Sequence, residues 1–256
     1  MDMRKTILAE LNKIEQQYEV RILHAVESGS RAWGFASQDS DYDVRFVYVR
    51  PARDYLRLDA LRDVIEWKLD EVLDINGWDL QKALKLFARG NASLFEWSES
   101  PVVYRSTEEW KRICETAKAW FSEKSAIHHY YGTAQKTWNT HLQGDMVHYK
   151  KYFYALRPLL AAQYIECFHT IPPVLFDDLL KMEIDPALRS AIADLLEKKK
   201  SATEAEQYPQ IPIIQAFIRE ELPRQKIICN ALPNDRNYDL TELNNCFAET
   251  IGITDR

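Results

Sequence analysis

Along the first hundred residues, the spacing of hydrophobic positions changes several times. Apolar residues recur every three or four positions over residues 2–18, which predicts an amphipathic helix. The segments VRILHAVE (20–27) and DYDVRFVYV (41–49) are rich in β-branched and apolar residues and predict two strands. EVLDINGW (71–78) predicts a third strand, and a helix is expected to follow it as far as Gly90.

Two further regions of the pattern complete the predicted organisation. The charged segment from 53 to 70 is expected to be a connecting loop or arm. From residue 107 onward the period is almost entirely helical, and Pro209 and Pro212 are expected to interrupt the last long helix early. The predicted helices cover residues 107–121, 123–141, 145–168, 174–182, 186–202, about 203–223 and 239–248.

This change of period predicts an α+β protein with two domains. Strands and helices mix in residues 1–105, whereas residues 106–256 are mostly helical. A chain of 256 residues with 46% hydrophobic and 28% charged residues is long and apolar enough to form a substantial core.

Charge and cysteine content narrow the function classes. The net charge of −6 argues against extended duplex DNA binding, which usually needs a basic surface. The four cysteines are scattered without CxxC spacing, as expected for reduced thiols. The charged start of the chain is unlike a signal peptide, and no run of 18 apolar residues predicts a membrane span. We therefore expect a cytoplasmic protein that has no membrane partner.

The most unusual feature of the sequence is a run of acids at the head of a predicted strand. Asp39, Asp41 and Asp43 occupy every second position just before the apolar run VRFVYV. Side chains alternate along a strand, so Asp41 and Asp43 are expected to point the same way, roughly 7 Å apart. Two such carboxylates repel each other unless a cation lies nearby, and Mg²⁺ prefers carboxylate, water and phosphate oxygens. The pattern therefore predicts a site for Mg²⁺ or Mn²⁺ that serves phosphoryl transfer.

The spacing of the acids is also compatible with a calcium loop or with a solvated loop. DxDxD opens a calcium-binding EF-hand loop, but that loop needs glycine where Val44 stands and glutamate where Arg50 stands. A solvated loop without a function is disfavoured by the apolar strand that follows, because idle charges at a buried strand are costly. Arg45 lies on the same strand face as Asp41 and Asp43, and its simplest role is an ion pair with them.

The turn before the acids favours phosphate binding. Gly29 and Ser30 follow a predicted strand, and glycine lets backbone N–H groups approach an anion closely. Arg31 comes next, either as a ligand of phosphate oxygens or as an ordinary surface arginine. The pattern GxxxxGK[ST] is absent, so the turn is not a P-loop.

These residues together resemble a known superfamily. Gly-Ser, ten residues and then Asp-x-Asp at the head of an apolar strand is similar to the DNA polymerase β-like nucleotidyltransferases. GSRAWGFASQDSDYDVRFVY resembles the RNA-repair-associated predicted nucleotidyltransferases within it. The resemblance continues through LDINGWDLQKALKLFARGNASLFEW, HYKKYFYALRPLLAAQYI and PPVLFDDLL, and it covers roughly residues 20–182.

The resemblance implies a nucleotidyltransferase core with a short mixed sheet, in residues 1–105, and a helical domain, in residues 106–256, that closes over the nucleotide. It also implies roles for particular residues. Gly29 and Ser30 would hold the triphosphate of an NTP. Asp41 and Asp43 would bind Mg²⁺ in a two-ion mechanism. A lysine of the pair Lys150 and Lys151 would touch the triphosphate, although a solvated helix face explains that pair equally simply.

Superfamily members use a third carboxylate, which binds metal and orients or deprotonates the attacking hydroxyl. Asp74 is favoured for this role because it begins a predicted strand. Asp79 is the alternative, and its simplest structural role is to cap the following helix.

The expected activity is transfer of a nucleoside monophosphate from an NTP to a hydroxyl acceptor, which could be an RNA end, a protein or a small molecule. Two different functions stay open. One is a catalytically degenerate module that binds a nucleotide or a partner. The second is a toxin–antitoxin component that nucleotidylates its partner.

Overall fold

The protein forms two compact units in a computed structural model. Unit 1 comprises Met1–Ala32, Asp41–Phe121 and Arg236–Arg256, and unit 2 comprises Trp33–Ser40 and Ser122–Asp235. The boundary predicted near residue 105 therefore lies inside unit 1. The residues that the structure describes are 2–37, 40–69, 72–201 and 206–253.

A five-stranded mixed sheet is the centre of unit 1. Its strands are β1 (Arg21–Ser28), β2 (Tyr42–Val49), β3 (Val64–Leu69), β4 (Leu73–Asp79) and β5 (Val103–Ser106). They lie in the order β3-β4-β2-β1-β5, with β2 and β4 parallel and the remaining neighbours antiparallel.

The helices alternate with these strands in unit 1 and dominate unit 2, which confirms the predicted α+β class. In chain order they are α1 (Met3–Tyr18), α2 (Gly29–Ala32), α3 (Ala52–Tyr55), α4 (Leu80–Ala88), α5 (Ala92–Ser98), α6 (Glu108–Ala117), α7 (Glu123–His141), α8 (Tyr149–Phe168), α9 (Phe176–Leu179), α10 (Pro186–Ser201), α11 (Pro212–Ala231) and α12 (Thr241–Thr250). Two short strands, β6 (Met146–Val147) and β7 (Tyr208–Pro209), pair with each other in unit 2.

Helix α1 covers one face of the sheet. Its apolar residues at helical spacing are fully or partly buried, and they share a core cluster with alternate residues of the strands. In β2 these alternate residues are Val44, Phe46 and Tyr48. Asp43 and Arg45, at the intervening positions, therefore lie on the opposite face of the sheet.

Helices α4, α5 and α6 pack against the strands as well. The ring of His24, in β1, stacks on Trp110 of α6 with centroids 5.1 Å apart. Its neighbour Ala25 belongs instead to the cluster with α1, so the two residues lie on opposite faces. Helix α12 packs on α4 and α6, which explains why the end of the chain belongs to unit 1.

The expectation of a loop over residues 53–70 is wrong. Most of helix α3 and all of strand β3 lie within this segment. Strand β3 is at the edge of the sheet, where only one neighbour constrains it and charged side chains are tolerated. The apolar alternation of β3 is short, with Ile65 buried and Trp67 partly buried. Charged residues surround it in the sequence, so the pattern did not predict a strand.

Unit 2 is built around the long helices α7 and α8, which pack together and are joined by α11. The bounds predicted for the last long helix, about 203–223, are wrong, because α11 begins at Pro212 and ends at Ala231, and Pro209 lies before it in β7. Pro212 is the first residue of α11, where proline is favoured because its missing N–H needs no partner. Over the described residues, no helix combines the length and apolar character needed to cross a bilayer.

Candidate functional site

The turn at Gly29 brings the backbone of that residue close to Asp43 in β2. Gly29 has φ +61°, a left-handed conformation that side-chain-bearing residues rarely adopt. A Cβ atom at this position would lie 2.3 Å from Oδ2 of Asp43. Glycine is therefore favoured by the backbone conformation, and a larger residue would have to push the Asp43 carboxylate aside. Ser30 is buried next to it in the four-residue helix α2.

Strand register brings Asp43 and Asp74 together. Strands β2 and β4 run parallel, and Asp43 lies directly opposite Asp74. Across the pairing with β1, Asp43 lies opposite Ser28, the residue before the glycine turn. The side chains of Asp43 and Asp74 are 34% and 27% exposed, so both remain accessible to a ligand. Three separate segments of the sequence thus meet at one end of β2.

Arg45 bridges the two carboxylates. Its Nη2 donates to Oδ1 of Asp43 at 3.0 Å and to Oδ2 of Asp74 at 2.7 Å. Its Nη1 donates to the carbonyls of Val44 at 3.1 Å and Asp74 at 3.2 Å. The guanidinium therefore supplies a positive charge between two acids that would otherwise repel each other. Of the two partners predicted for Arg45, Asp43 is confirmed, and its second carboxylate partner is Asp74 instead of Asp41.

Glu27 holds the backbone of Asp43 in place through a hydrogen bond. Glu27 is 1% exposed at the end of β1, and its Oε1 accepts from the backbone N–H of Asp43 at 2.7 Å. The hydroxyl of Tyr104 donates to its second oxygen. Burial raises the pKa of Glu27, although these two hydrogen bonds oppose the shift. Burial also raises the pKa of Tyr104. Glu27 fixes the backbone that carries the Asp43 side chain.

Arg31 and Asp41 lie beside this arrangement. Arg31 donates from Nε to the backbone carbonyl of Asp41 at 3.0 Å, and its guanidinium lies 3.7 Å from the ring centroid of Tyr42. This cation–π contact holds the guanidinium near the start of β2. Asp41 is exposed and directly precedes the strand. Asp39 lies outside the described residues.

Asp79 occupies a different place from Asp74. It is opposite Tyr48, five positions further along the paired strands, or roughly 16 Å at the usual rise per residue. Strand alternation also puts it on the opposite face. Its Oδ1 accepts from the N–H of Gln81 at 2.8 Å and caps α4, while its Oδ2 accepts from the hydroxyl of Tyr55 at 2.8 Å. The structure therefore brings Asp74, but not Asp79, to Asp43.

Lys150 and Lys151 belong to unit 2, in the first turn of α8. Both are half-buried, and Nζ of Lys151 lies 5.6 Å from the ring centroid of Tyr154. Their contact with a triphosphate stays a prediction.

The carboxylates near the start of β2 have the oxygen donors that a divalent cation requires. Mg²⁺ commonly takes one or two protein carboxylates and completes its shell with water and substrate phosphate. Asp43, Asp74 and the neighbouring Asp41 offer such oxygens. Within the described parts of the chain, no group of three His, Cys, Asp or Glu side chains is already arranged to hold a metal ion. The carboxylates fit a cation that arrives together with phosphate oxygens.

Sequence reasoning missed Glu27 and its partner Tyr104. A glutamate that ends an apolar strand and precedes a Ser-Gly turn is typical of a solvent-facing position. The one local signal is its place directly before the glycine turn. Its partner Tyr104 is distant along the chain, and the pairing of β1 with β5 brings the two residues together.

Known proteins resemble this chain over nearly its whole length. A profile of RlaP, described as the RNA repair pathway DNA polymerase beta family, matches residues 3–249. The chain is 42% identical over 253 residues to "Uncharacterized protein YcgL" of Bacillus subtilis (strain 168), covering 97% of this chain and 96% of that protein. A nucleotidyltransferase-like protein from Exiguobacterium sibiricum 255-15 aligns with a TM-score of 0.30 at 13% identity, over 98% of this chain and 81% of that one.

The family match includes both the glycine turn and the paired aspartates. It confirms the resemblance seen in the sequence and extends it beyond residue 182. The chain therefore belongs to the RNA repair pathway DNA polymerase beta family.

Proposed function

We propose that this protein is a nucleotidyltransferase that moves a nucleoside monophosphate from an NTP to a hydroxyl group. The observation that carries the proposal is the Asp43–Asp74 pair beside the Gly29 turn. Family membership supports a polymerase β-like nucleotidyltransferase. The proposal adds the substrate, the acceptor and the residues that act on them.

The proposed step is an in-line displacement at the α-phosphorus. The acceptor oxygen forms a bond to the α-phosphorus, the bond from that phosphorus to the bridging oxygen breaks, and pyrophosphate leaves with the electron pair. The acceptor proton passes to the carboxylate of Asp74. Positioning and charge neutralisation provide most of the rate in such reactions.

Several residues of unit 1 have proposed roles in binding. The backbone of Gly29 and Ser30 would contact the phosphates, and so would Arg31, whose guanidinium is held on the ring of Tyr42. Carboxylates of Asp41 and Asp43 would hold Mg²⁺ or Mn²⁺, which when bound offsets the charge of the phosphates. Glu27 keeps Asp43 in place through its backbone N–H.

For the acceptor we propose an RNA end first, because the family description refers to RNA repair. A protein or small-molecule hydroxyl is the alternative. The net charge of −6 favours a small contact at an RNA terminus over a long duplex footprint. We also propose a cytoplasmic location, where NTPs are abundant and the four free cysteines would stay reduced.

The test is incubation with each α-³²P-labelled NTP, Mg²⁺ or Mn²⁺, and a panel of RNA, protein and small-molecule acceptors. We expect label on one acceptor class and stoichiometric release of pyrophosphate. The double variant Asp41→Asn plus Asp43→Asn should abolish labelling while its circular dichroism spectrum is unchanged. Asp59→Asn is the matched control, since Asp59 is exposed and pairs with Arg57 away from these residues.

Two results would contradict the proposal in different ways. Labelling that persists in the double variant would show that these aspartates are not the site. NTP binding without transfer to any acceptor would favour a binding module, and the occupation of both carboxylates by Arg45 is the observation that supports this second function.

A further inference from the structure

The two oxygens of Asp43 face different neighbours. Oδ1 accepts from Nη2 of Arg45 at 3.0 Å. Oδ2 lies against the glycine turn, so close that a Cβ on Gly29 would be 2.3 Å from it. One oxygen of this carboxylate therefore contacts the proposed phosphate-binding turn, and the second oxygen contacts Arg45.

Arg45 is held firmly on its side. Four hydrogen bonds of 2.7 to 3.2 Å fix its guanidinium, two to carboxylates and two to the backbone carbonyls of Val44 and Asp74. Only 19% of its side chain is exposed. The carbonyl contacts matter, because they anchor Nη1 independently of the two acids and leave Nη2 directed between them.

The place between Asp43 and Asp74 is where a cation shared by β2 and β4 would lie. A guanidinium is permanently charged, and its fork of donors can satisfy two carboxylates at once. A metal ion entering there would have to displace a guanidinium held by four hydrogen bonds, and it would meet the positive charge of Arg45.

We infer that Arg45 takes the place of one of the two divalent cations that the sequence predicts, so that the protein binds its nucleotide with a single ion. The Asp43 oxygen that faces Gly29 would hold this ion, and Arg45 would supply the second positive charge. This inference rests on the proposed function, since the nucleotide completes the ion's ligands.

The test counts bound Mn²⁺, by electron paramagnetic resonance and equilibrium dialysis, with and without a non-hydrolysable α,β-methylene NTP. The wild type should bind one Mn²⁺ per chain in the presence of the nucleotide analogue. Arg45→Met exposes the carboxylate pair, so it should bind a second Mn²⁺, and its affinity for Mn²⁺ alone should rise about tenfold. Arg45→Lys, which keeps the charge but cannot make all four contacts, should stay close to the wild type in ion number.

Arg50→Met is the matched control. Arg50 also lies near an aspartate of β4, with Nε 3.9 Å from Asp79, but at the opposite end of the strands. This variant should leave Mn²⁺ binding unchanged. Thermal melting of each variant verifies folding, and if Arg45→Met does not fold, the ion count of the wild type still decides.

Two Mn²⁺ ions in the wild type, or equal Mn²⁺ binding by wild type and Arg45→Met, would overturn the inference. These readouts do not depend on turnover. A chain that binds one ion but transfers no nucleotide would contradict the proposed function and support the inference, whereas active transfer with two bound ions would do the opposite.

Discussion

The two ends of the paired strands β2 and β4 each hold aspartate and arginine, but they use them differently. At one end, Asp43 and Asp74 share Arg45 and stay partly exposed. At the opposite end, the carboxylate of Asp79 is 6% exposed, and its two oxygens accept from Gln81 and Tyr55.

This difference separates a structural acid from acids suited to bind a ligand. Burial raises the pKa of Asp79, and protein donors satisfy the carboxylate within the fold. Asp43 and Asp74 share the guanidinium of Arg45 and are partly exposed, and carboxylates of this kind suit a divalent cation. Exposure and partners, more than residue type, distinguish the two ends.

Alanine at each end should produce opposite phenotypes. Asp74→Ala should lower the rate of nucleotide transfer roughly 10²- to 10³-fold with little change in melting temperature, because it removes a group proposed to act on the acceptor. Asp79→Ala should leave the rate nearly unchanged and lower the free energy of unfolding by about 2 kcal/mol, since it removes a helix cap and a buried partner of Tyr55.

Single-turnover kinetics and urea denaturation of both variants provide the measurement. A loss of activity in Asp79→Ala, with Asp74→Ala as active as the wild type, would reverse the assignment of the third carboxylate.

A methyl group at Gly29 should lower the activity that depends on Asp43 and Asp74. Gly29→Ala places Cβ against Oδ2 of Asp43 and strains a left-handed backbone. We expect the rate to fall roughly 10²-fold, with about 1–3 kcal/mol lost from the free energy of unfolding.

Gly252→Ala is the control for the backbone strain alone. Gly252 also has a left-handed φ, of +80°, but nothing lies within 4 Å of its added Cβ. It should lose some stability and keep full activity. Equal activities of the two variants would show that contact with Asp43 is unimportant.

His24 is buried, and its protonation is expected to make the stability of the folded protein sensitive to acid. Burial lowers the pKa of His24 to about 4, and its ring nitrogens face the Trp97 carbonyl and the Ser106 hydroxyl. Between pH 6.5 and 4 the unfolded chain then binds more protons than the folded one, so stability falls as pH falls through this window.

Full protonation should cost about 3 kcal/mol. Urea denaturation from pH 7 to pH 4 should show this loss in the wild type beyond that of His24→Gln, which does not titrate there. Parallel pH profiles for the two proteins would contradict the prediction.

The smallest effect on the rate of nucleotide transfer is expected from changes at Glu27, which holds the backbone of Asp43. Glu27→Ala removes the acceptor for the Asp43 N–H, so kcat should fall about tenfold while KM for the NTP changes little. Glu27→Gln keeps an acceptor oxygen and should restore most of the rate. Equal losses in both variants, measured by steady-state kinetics, would argue against positioning through this hydrogen bond.

The sequence alone determined the features that depend on neighbouring residues. The alternation around Asp43 predicted strand β2, and Gly29 with Ser30 predicted a turn before it, because period and turn chemistry are local properties. The same locality explains the helices α1 and α7, whose bounds lie close to the predicted ones. It also allowed Asp79 to be weighed as a helix cap.

Tertiary structure alone decided which distant groups meet. Asp74 and Asp79 are identical in residue type and both lie in the third predicted strand or at its end, and only the parallel register of β2 and β4 placed Asp74 opposite Asp43. The bridge made by Arg45 and the support from Glu27 and Tyr104 also depend on strand pairing. Alternation along β2 could predict the Arg45–Asp43 pair within that strand. The contacts between strands depend on register, which is set by packing across the whole sheet, so no local pattern along this chain could specify them.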